Sequence, residues 1–125
     1  MILGIGTDIV EIERFRRLIE RHGDLFLSRI FSEEERSEAA SRRDPAPYFA
    51  GRWAAKEAFS KALGCGIGAK CAWLELMVCN NASGKPEMKC QGQAAKTGTA
   101  LGLRSIHLSI SHEKNSACAM VVLES

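Results

Sequence analysis

The chain has 125 residues, which suits one domain with a real hydrophobic core and leaves no room for a second. Hydrophobic residues make up 46% and charged residues 26%, as in ordinary globular proteins, and the net charge of +2 gives no global reason to expect nucleic acid binding. No apolar run approaches the roughly 20 residues of a membrane span, and no basic segment opens the chain, so we expect neither membrane association nor a signal peptide. The cytoplasm is the expected compartment.

The cysteines are five in number, and no two are spaced as C-x-x-C. They are Cys65, Cys71, Cys79, Cys90 and Cys118. An odd count without paired spacing indicates neither a disulfide framework nor a zinc site. We therefore expect reduced thiols that pack as small hydrophobic side chains.

Residues 2–10 open the chain with a predicted strand, because β-branched side chains dominate them. Gly4 and Gly6 lie within this strand, where they allow a close approach by another part of the chain. Asp8 lies near the end of the strand. Its carboxylate would either cap the helix that follows or take part in a polar site.

A helix is predicted next, over 11–21, with an apolar face that includes Ile12, Phe15 and Ile19. The rest of its surface carries the one local concentration of basic residues: Arg14, Arg17 and Arg21, with Arg16 between them. Such a set is usually a solvated helix face. The functional alternative is a docking surface for an acidic protein partner.

A break at 22–23 ends this helix, and a short segment follows through Phe31. Ser32 and Glu35 have the spacing of a capping box, which predicts a second helix that ends near Ser41.

A long third helix is predicted from Pro45 or Pro47 to Leu63, with Gly64 at its C-terminal end. Its buried stripe comprises Ala55, Phe59, Ala62 and Leu63. Glu57 and Lys61 lie four residues apart on another face, and this spacing alone favours a surface ion pair between them. The alternative is a site that positions an anionic substrate and a metal.

The remaining residues predict strands and one further helix. The strands cover 73–79, 85–90, 106–111 and 117–123, and the helix covers 91–101. This order predicts a single α+β domain over 1–125, with helices packed on one side of a mainly antiparallel sheet. With so few strands, we expect an exposed sheet edge or face that self-association would cover.

Common catalytic patterns are incomplete in this chain. The G-x-G at 4–6 lacks the third glycine of a dinucleotide site, the glycines at 64–68 follow a helix instead of preceding one, and no nucleophile elbow surrounds 109–112. Asp8, Glu57 and Lys61 remain. Carboxylate oxygens beside basic side chains are what a magnesium–phosphate site needs.

Five blocks of sequence narrow the range of possible functions further: GIGTDIVEI (4–12), FSEEE (31–35), RWAAKEAFSKALG (52–64), NNASGKP (80–86) and LSISHEKNSACAMVVLE (108–124). Together, and in this order, they resemble the bacterial holo-acyl-carrier-protein synthases, which are 4′-phosphopantetheinyl transferases of the short, single-domain type. The resemblance runs from the first strand to the last.

The resemblance implies the 4′-phosphopantetheinyl transferase fold and its reaction. The family transfers the 4′-phosphopantetheine arm of coenzyme A to a serine of apo-acyl-carrier protein in fatty acid synthesis, and adenosine 3′,5′-bisphosphate leaves. By the same resemblance Asp8 and Glu57 would bind Mg²⁺, and Lys61 would lie near the pyrophosphate. The positions associated with coenzyme A are Lys61, Gly64, Lys85, Pro86 and His112.

The family also implies partners and an assembly. Its members are homotrimers with active sites between subunits, and their first helix, here with Arg14, Arg17 and Arg21, docks the acidic carrier protein. Neither nucleic acid nor a membrane is implied. The general base is left open between Glu57 itself and a magnesium-bound water.

The chain departs from the family pattern at Cys65, where a polar residue such as threonine is common, and at Asn80-Asn81, where Asn-Asp is more usual. The alternative to an enzyme is an oligomeric binding protein whose basic first helix recognises acidic partners, with Glu57 and Lys61 as a plain ion pair.

Overall fold

Five strands, four α-helices and one 3₁₀ turn make up the computed structural model, which describes residues 1–125. In chain order they are β1 (Ile2–Glu11), α1 (Ile12–Ile30), α2 (Glu33–Ala40), α3 (Ala46–Leu63), the 3₁₀ turn (Trp73–Glu75), β2 (Leu76–Asn80), β3 (Pro86–Cys90), α4 (Gly92–Leu101), β4 (Ser105–His112) and β5 (Ser116–Glu124).

The strands form two antiparallel sheets. In the first, β5 lies between β1 and β4, and in the second β2 pairs only with β3. The helix α3 packs against β1 and β5. The prediction of an α+β fold with helices on a mainly antiparallel sheet is therefore confirmed, although the strands divide into two sheets instead of one.

Two glycines allow β1 to lie directly against the backbone of α3. A Cβ atom at Gly4 would be 2.0 Å from the carbonyl oxygen of Ala62, and one at Gly6 would be 1.9 Å from that of Ala58. No other residue type fits so close an approach. The predicted buried stripe of α3 is fully inside the core, since Ala55, Phe59, Ala62 and Leu63 are all buried.

The helix α1 runs further than predicted but is interrupted where a break was expected. Gly23 has φ 62° and ψ −148°, which is not helical, and the chain then resumes the helix as far as Ile30. The glycine was a correct signal for a change of direction. The segment after it is helical because Leu27 and Ile30 are buried in the same core as Ile12 and Phe15.

The predicted capping box at the start of α2 is confirmed, and its glutamate does more than cap. Ser32 Oγ accepts from the Glu35 amide at 3.1 Å, and Glu35 Oε1 accepts from the Ser32 amide at 2.8 Å. Glu35 also binds the ammonium of Lys56 at 2.8 Å and the amide of Val78 at 3.1 Å. This carboxylate therefore joins α2, α3 and β2.

Lys56 is fully buried, and its ammonium has three acceptors. Besides Glu35, it donates to the carbonyl of Ile30 at 2.6 Å and to that of Trp73 at 3.3 Å. Desolvation lowers the pKa of Lys56, and the charge of Glu35 and its hydrogen bond oppose that shift.

The strand predicted over 73–79 begins only at Leu76, because the preceding residues form the 3₁₀ turn. The Glu75 carboxylate accepts from the amide of Ala72 at 2.9 Å, of Gln93 at 2.6 Å and of Ala94 at 3.2 Å. These backbone hydrogen bonds lower the pKa of Glu75. The glutamate thus supplies the cap for α4, whose own N-cap side chain makes no such bond.

The sheet face opposite α3 is left open. It carries exposed apolar side chains at Ile5, Ile9 and Met120, which are 58%, 71% and 50% exposed. All five cysteines are free thiols. None of the helices combines the length and the apolar character that crossing a bilayer requires.

Candidate active site

Asp8 and Lys61 meet where β1 crosses α3. Lys61 Nζ donates to Asp8 Oδ1 at 3.0 Å and to the carbonyl oxygen of Thr7 at 3.0 Å. The Asp8 side chain is 15% exposed and that of Lys61 is 51% exposed. The reading of Asp8 as a helix cap is wrong, since Glu11 is the N-cap of α1 and no side chain caps it. Asp8 instead faces α3, because it lies two residues after Gly6, which contacts α3, on the same face of β1.

Glu57 lies one turn before Lys61 on α3 and shares the electrostatic environment of Asp8. Partial burial raises the pKa of Glu57, the negative charge of Asp8 raises it further, and the positive charge of Lys61 opposes both. Lys61 forms its ion pair with Asp8 and not with Glu57. The i, i+4 ion pair that the helix spacing favoured is therefore wrong, because the lysine side chain reaches across to the strand.

Two carboxylates and one ammonium thus converge from two rigid elements. Nowhere in the chain do three or more His, Cys, Asp or Glu side chains gather so that they could hold a metal ion. Magnesium takes one or two carboxylates from the protein and fills its octahedron with waters and substrate phosphates. The donor set of Asp8 and Glu57 fits that ion, whose charge would offset the repulsion that raises the pKa of Glu57.

A groove of about 500 Å³ lies beside this cluster. Its lining includes Asp8, Lys61, Ser109, Ser111, Cys118 and Met120. Because Ile9 and Met120 also belong to the open sheet face, the groove opens on that face. The cluster is therefore next to the open sheet face.

The other residues that the resemblance associates with coenzyme A lie elsewhere in the chain. Gly64 is the left-handed C-cap of α3, with φ 84°. Lys85 and Pro86 belong to the β2–β3 hairpin, where the Lys85 amide donates to Asn81 Oδ1 at 3.0 Å.

His112 ends β4 and lines a second groove, together with Glu11 and Arg16. No hydrogen bond or ion pair joins Lys85 or His112 to Asp8, Glu57 or Lys61 within the chain. This chain therefore brings together the two carboxylates and Lys61, with Gly64 close behind because its amide donates to the Lys61 carbonyl, and leaves Lys85, Pro86 and His112 apart.

The basic residues of α1 remain largely free on its surface. Arg14, Arg17 and Arg21 are exposed and line a shallow depression with Leu18. Arg17 lies 3.7 Å from Glu11. Arg16, in contrast, is held by ion pairs with Asp44 and Glu13, and its hydrogen bonds to these two carboxylates raise its pKa.

Comparison with known proteins gives consistent matches over nearly the whole chain. The model of the 4′-phosphopantetheinyl transferase superfamily matches residues 4–121. A holo-[acyl-carrier-protein] synthase of Syntrophotalea carbinolica is 46% identical over 97% of this chain and 94% of its own length. One of Alkalilimnicola ehrlichii is 47% identical over 100% of this chain and 98% of its own.

Solved structures agree with these relatives. The holo-[acyl-carrier-protein] synthase of Neisseria meningitidis has a TM-score of 0.93 at 39% identity and covers 100% of both chains. That of Bacillus anthracis, in complex with CoA (3′,5′-ADP), has a TM-score of 0.85 at 40% identity and covers 100% of this chain and 98% of its own. Sequence and fold thus lead to one result: the chain belongs to the holo-[acyl-carrier-protein] synthases of the 4′-phosphopantetheinyl transferase superfamily.

Proposed function

We propose that this chain, as a single domain over 1–125, transfers the 4′-phosphopantetheine arm of coenzyme A to a serine of an apo-acyl-carrier protein. The reaction releases adenosine 3′,5′-bisphosphate and serves fatty acid biosynthesis. The observation that carries the proposal is the convergence of Asp8, Glu57 and Lys61 in a member of this family. The solved relatives from Bacillus anthracis and Helicobacter pylori are complexes with coenzyme A or part of it, which supports the choice of substrate.

Asp8 and Glu57 are the proposed ligands of Mg²⁺. When bound, the ion supplies charge neutralisation on the phosphate oxygens and alignment of the phosphates with the attacking hydroxyl. The chain's part is to hold two carboxylates on a strand and a helix that pack without a gap between them.

Lys61 would add a positive charge beside the pyrophosphate. Half of its side chain is exposed, so that Nζ can turn from Asp8 towards a phosphate oxygen without leaving the cluster. A flexible lysine is suited to this role because its ammonium donates three hydrogen bonds and is a compact charge.

Glu57 is the proposed general base. A serine hydroxyl is a poor nucleophile at neutral pH and needs a proton acceptor within hydrogen-bond reach, directly or through one water. Removal of the proton by Glu57 would leave the serine oxygen free to attack the β-phosphorus.

Docking of the carrier protein is assigned to α1. Arg14, Arg17 and Arg21 present positive charge to an acidic partner, and the exposed Leu25 adds apolar surface further along the same helix. Electrostatic complementarity of this kind favours encounter and orientation.

A homotrimer with active sites between subunits completes the proposal. The open sheet face offers apolar side chains for such an interface, and the groove beside Asp8 opens on it. Lys85, Pro86 and His112, which lie apart from Asp8 within one chain, would then bind coenzyme A from a neighbouring subunit.

The test is mass spectrometry of an apo-acyl-carrier protein after incubation with the chain, coenzyme A and Mg²⁺. We expect the phosphopantetheine adduct on the carrier serine with the wild type and with Glu33→Ala, an exposed carboxylate of α2 that serves as control. Asp8→Ala and Glu57→Ala should produce almost none. If both variants modified the carrier at the wild-type rate, the assigned site would be wrong.

A further inference from the structure

Gly6 of β1 touches the backbone of α3 right beside the two carboxylates. A Cβ atom at Gly6 would lie 1.9 Å from the carbonyl oxygen of Ala58 and 2.8 Å from the amide nitrogen of Ala62. Non-bonded carbon and oxygen atoms approach to about 3.3 Å, so any side chain here would move the strand and the helix apart by roughly 1 Å or more.

This contact lies between the backbones that carry the proposed metal ligands. Ala58 directly follows Glu57 on α3, and Asp8 follows Gly6 by two residues, on the same face of β1. The separation of strand and helix at Gly6 therefore governs the separation of the Asp8 and Glu57 carboxylates.

We propose that Gly6 is a positioning residue that sets the Asp8–Glu57 separation and thereby adapts the pair to an ion as small as Mg²⁺. The inference rests on the proposed function, in which these two carboxylates hold that ion. Magnesium demands near-octahedral ligands at about 2.0–2.1 Å, whereas Ca²⁺ accepts oxygen ligands at about 2.3–2.6 Å in flexible geometry. A wider gap at Gly6 thus penalises Mg²⁺ more than Ca²⁺.

Gly4 provides a matched control on the same strand and helix. A Cβ atom there would lie 2.0 Å from the carbonyl oxygen of Ala62, which is an equally severe clash. Ala62 is one helical turn beyond Ala58, further from Glu57. Gly4→Ala and Gly6→Ala should therefore lose similar stability, but only Gly6→Ala should change the preference between ions.

The experiment measures ion affinities of the whole chain with coenzyme A present, by Mn²⁺ paramagnetic resonance with displacement by Mg²⁺ or Ca²⁺. Thermal melts in the presence of chelator identify a temperature at which each variant is folded, and the affinities are measured there. For Gly6→Ala we expect Mg²⁺ affinity to fall by about 10-fold or more, the range seen when support of a metal ligand is removed. Ca²⁺ affinity should fall less, Gly4→Ala should keep the wild-type ratio, and Asp8→Glu added to Gly6→Ala should restore part of the Mg²⁺ affinity. Equal ratios in wild type and Gly6→Ala would overturn the inference.

If Gly6→Ala is not recovered folded, Asp8→Glu in the wild-type background tests the same separation. The added methylene overfills the space between the Asp8 and Glu57 carboxylates if their separation is fixed, so Mg²⁺ affinity should drop more than Ca²⁺ affinity. An unchanged ratio of the two affinities would show that the separation is not fixed and would refute the role of Gly6. A different result would refute the metal ligands of the proposed function. A wild type that modifies the carrier without binding any of these ions would refute the metal ligands, whereas normal ion binding with no effect of Gly6→Ala refutes only the positioning role.

Discussion

Lys56 and Glu35 form an ion pair at 2.8 Å from which water is wholly excluded. Lys56 precedes Glu57 on α3, yet its side chain points away from the candidate active site, towards the junction of α1 and α2. The adjacent lysine and glutamate of this helix therefore have separate tasks, one in stability and one in the proposed chemistry.

Removal of the lysine from this pair should strongly lower the free energy of unfolding. Lys56→Met leaves the Glu35 carboxylate buried without its counter-charge, and breaking a buried pair in this way costs about 3–5 kcal/mol. Urea unfolding followed by circular dichroism measures the loss. Lys61→Met is the control, since the Lys61–Asp8 pair, whose lysine is half exposed, should contribute about 1 kcal/mol or less. A Lys56→Met variant as stable as the control would contradict the structural role of the buried pair.

Glu57 should lower the stability of the metal-free chain at neutral pH. Its folded-state pKa lies above the ordinary value of 4.5. Across the window between these two values the folded state holds a proton that the unfolded state has lost, so the free energy of unfolding falls as pH rises. Glu57→Gln should therefore unfold at a higher temperature than wild type at neutral pH and at the same temperature below pH 4.5. Glu33→Gln, at an exposed position, should show no such pH dependence of the unfolding temperature. If Glu57→Gln were also more stable than wild type at low pH, the predicted direction of the Glu57 effect would be wrong.

Reversal of one charge on α1 should separate docking from chemistry. For Arg14→Glu we expect the KM for the carrier protein to rise on the order of 5- to 10-fold, equivalent to about 1–1.4 kcal/mol, because an acidic partner meets a like charge. The affinity for coenzyme A, measured by calorimetry, should stay as in wild type. Arg104→Glu is the charge-matched control away from α1. An unchanged carrier KM for Arg14→Glu would remove α1 from the docking surface.

A charge on the open sheet face should prevent the proposed assembly. Ile5→Glu and Met120→Glu place a carboxylate where an interface would exclude water, and burying an unpaired charge costs several kcal/mol. Sedimentation velocity should show monomers for both variants, with loss of transferase activity. Leu101→Glu alters a side chain of α4 that is 47% exposed, and it should change neither the sedimentation nor the transferase activity. If Ile5→Glu sedimented as wild type does, this face would not be the interface.

The sequence predicts those structural features that depend on residues close together in the chain. The capping box of Ser32 and Glu35 and the glycine that ends α3, Gly64, are local signals, and each has the predicted role. The contact of Asp8 with Lys61 spans 53 residues, and that of Lys56 with Glu35 spans 21. Neither pairing has a spacing rule, because each follows from how β1 and α2 pack on α3.

The expected Glu57–Lys61 pair shows how tertiary structure overrides a helical rule. An i, i+4 pair on an isolated helix gains only about 0.2–0.5 kcal/mol, so a nearby acceptor on another element easily replaces it. Here Asp8 and the Thr7 carbonyl both lie within 3.0 Å of Nζ. Only the position of β1, which Gly4 and Gly6 permit, makes that acceptor pair available.

Glu75 links two elements that the β2–β3 hairpin separates in the chain. Its carboxylate holds amides at Ala72, Gln93 and Ala94, so the start of α4 cannot fray without release of the 3₁₀ turn. The two segments should open as one cooperative unit, and hydrogen exchange of these three amides should give a common free energy of opening. Protonation of Glu75 in acid would then loosen the 3₁₀ turn and the start of α4 in a single step.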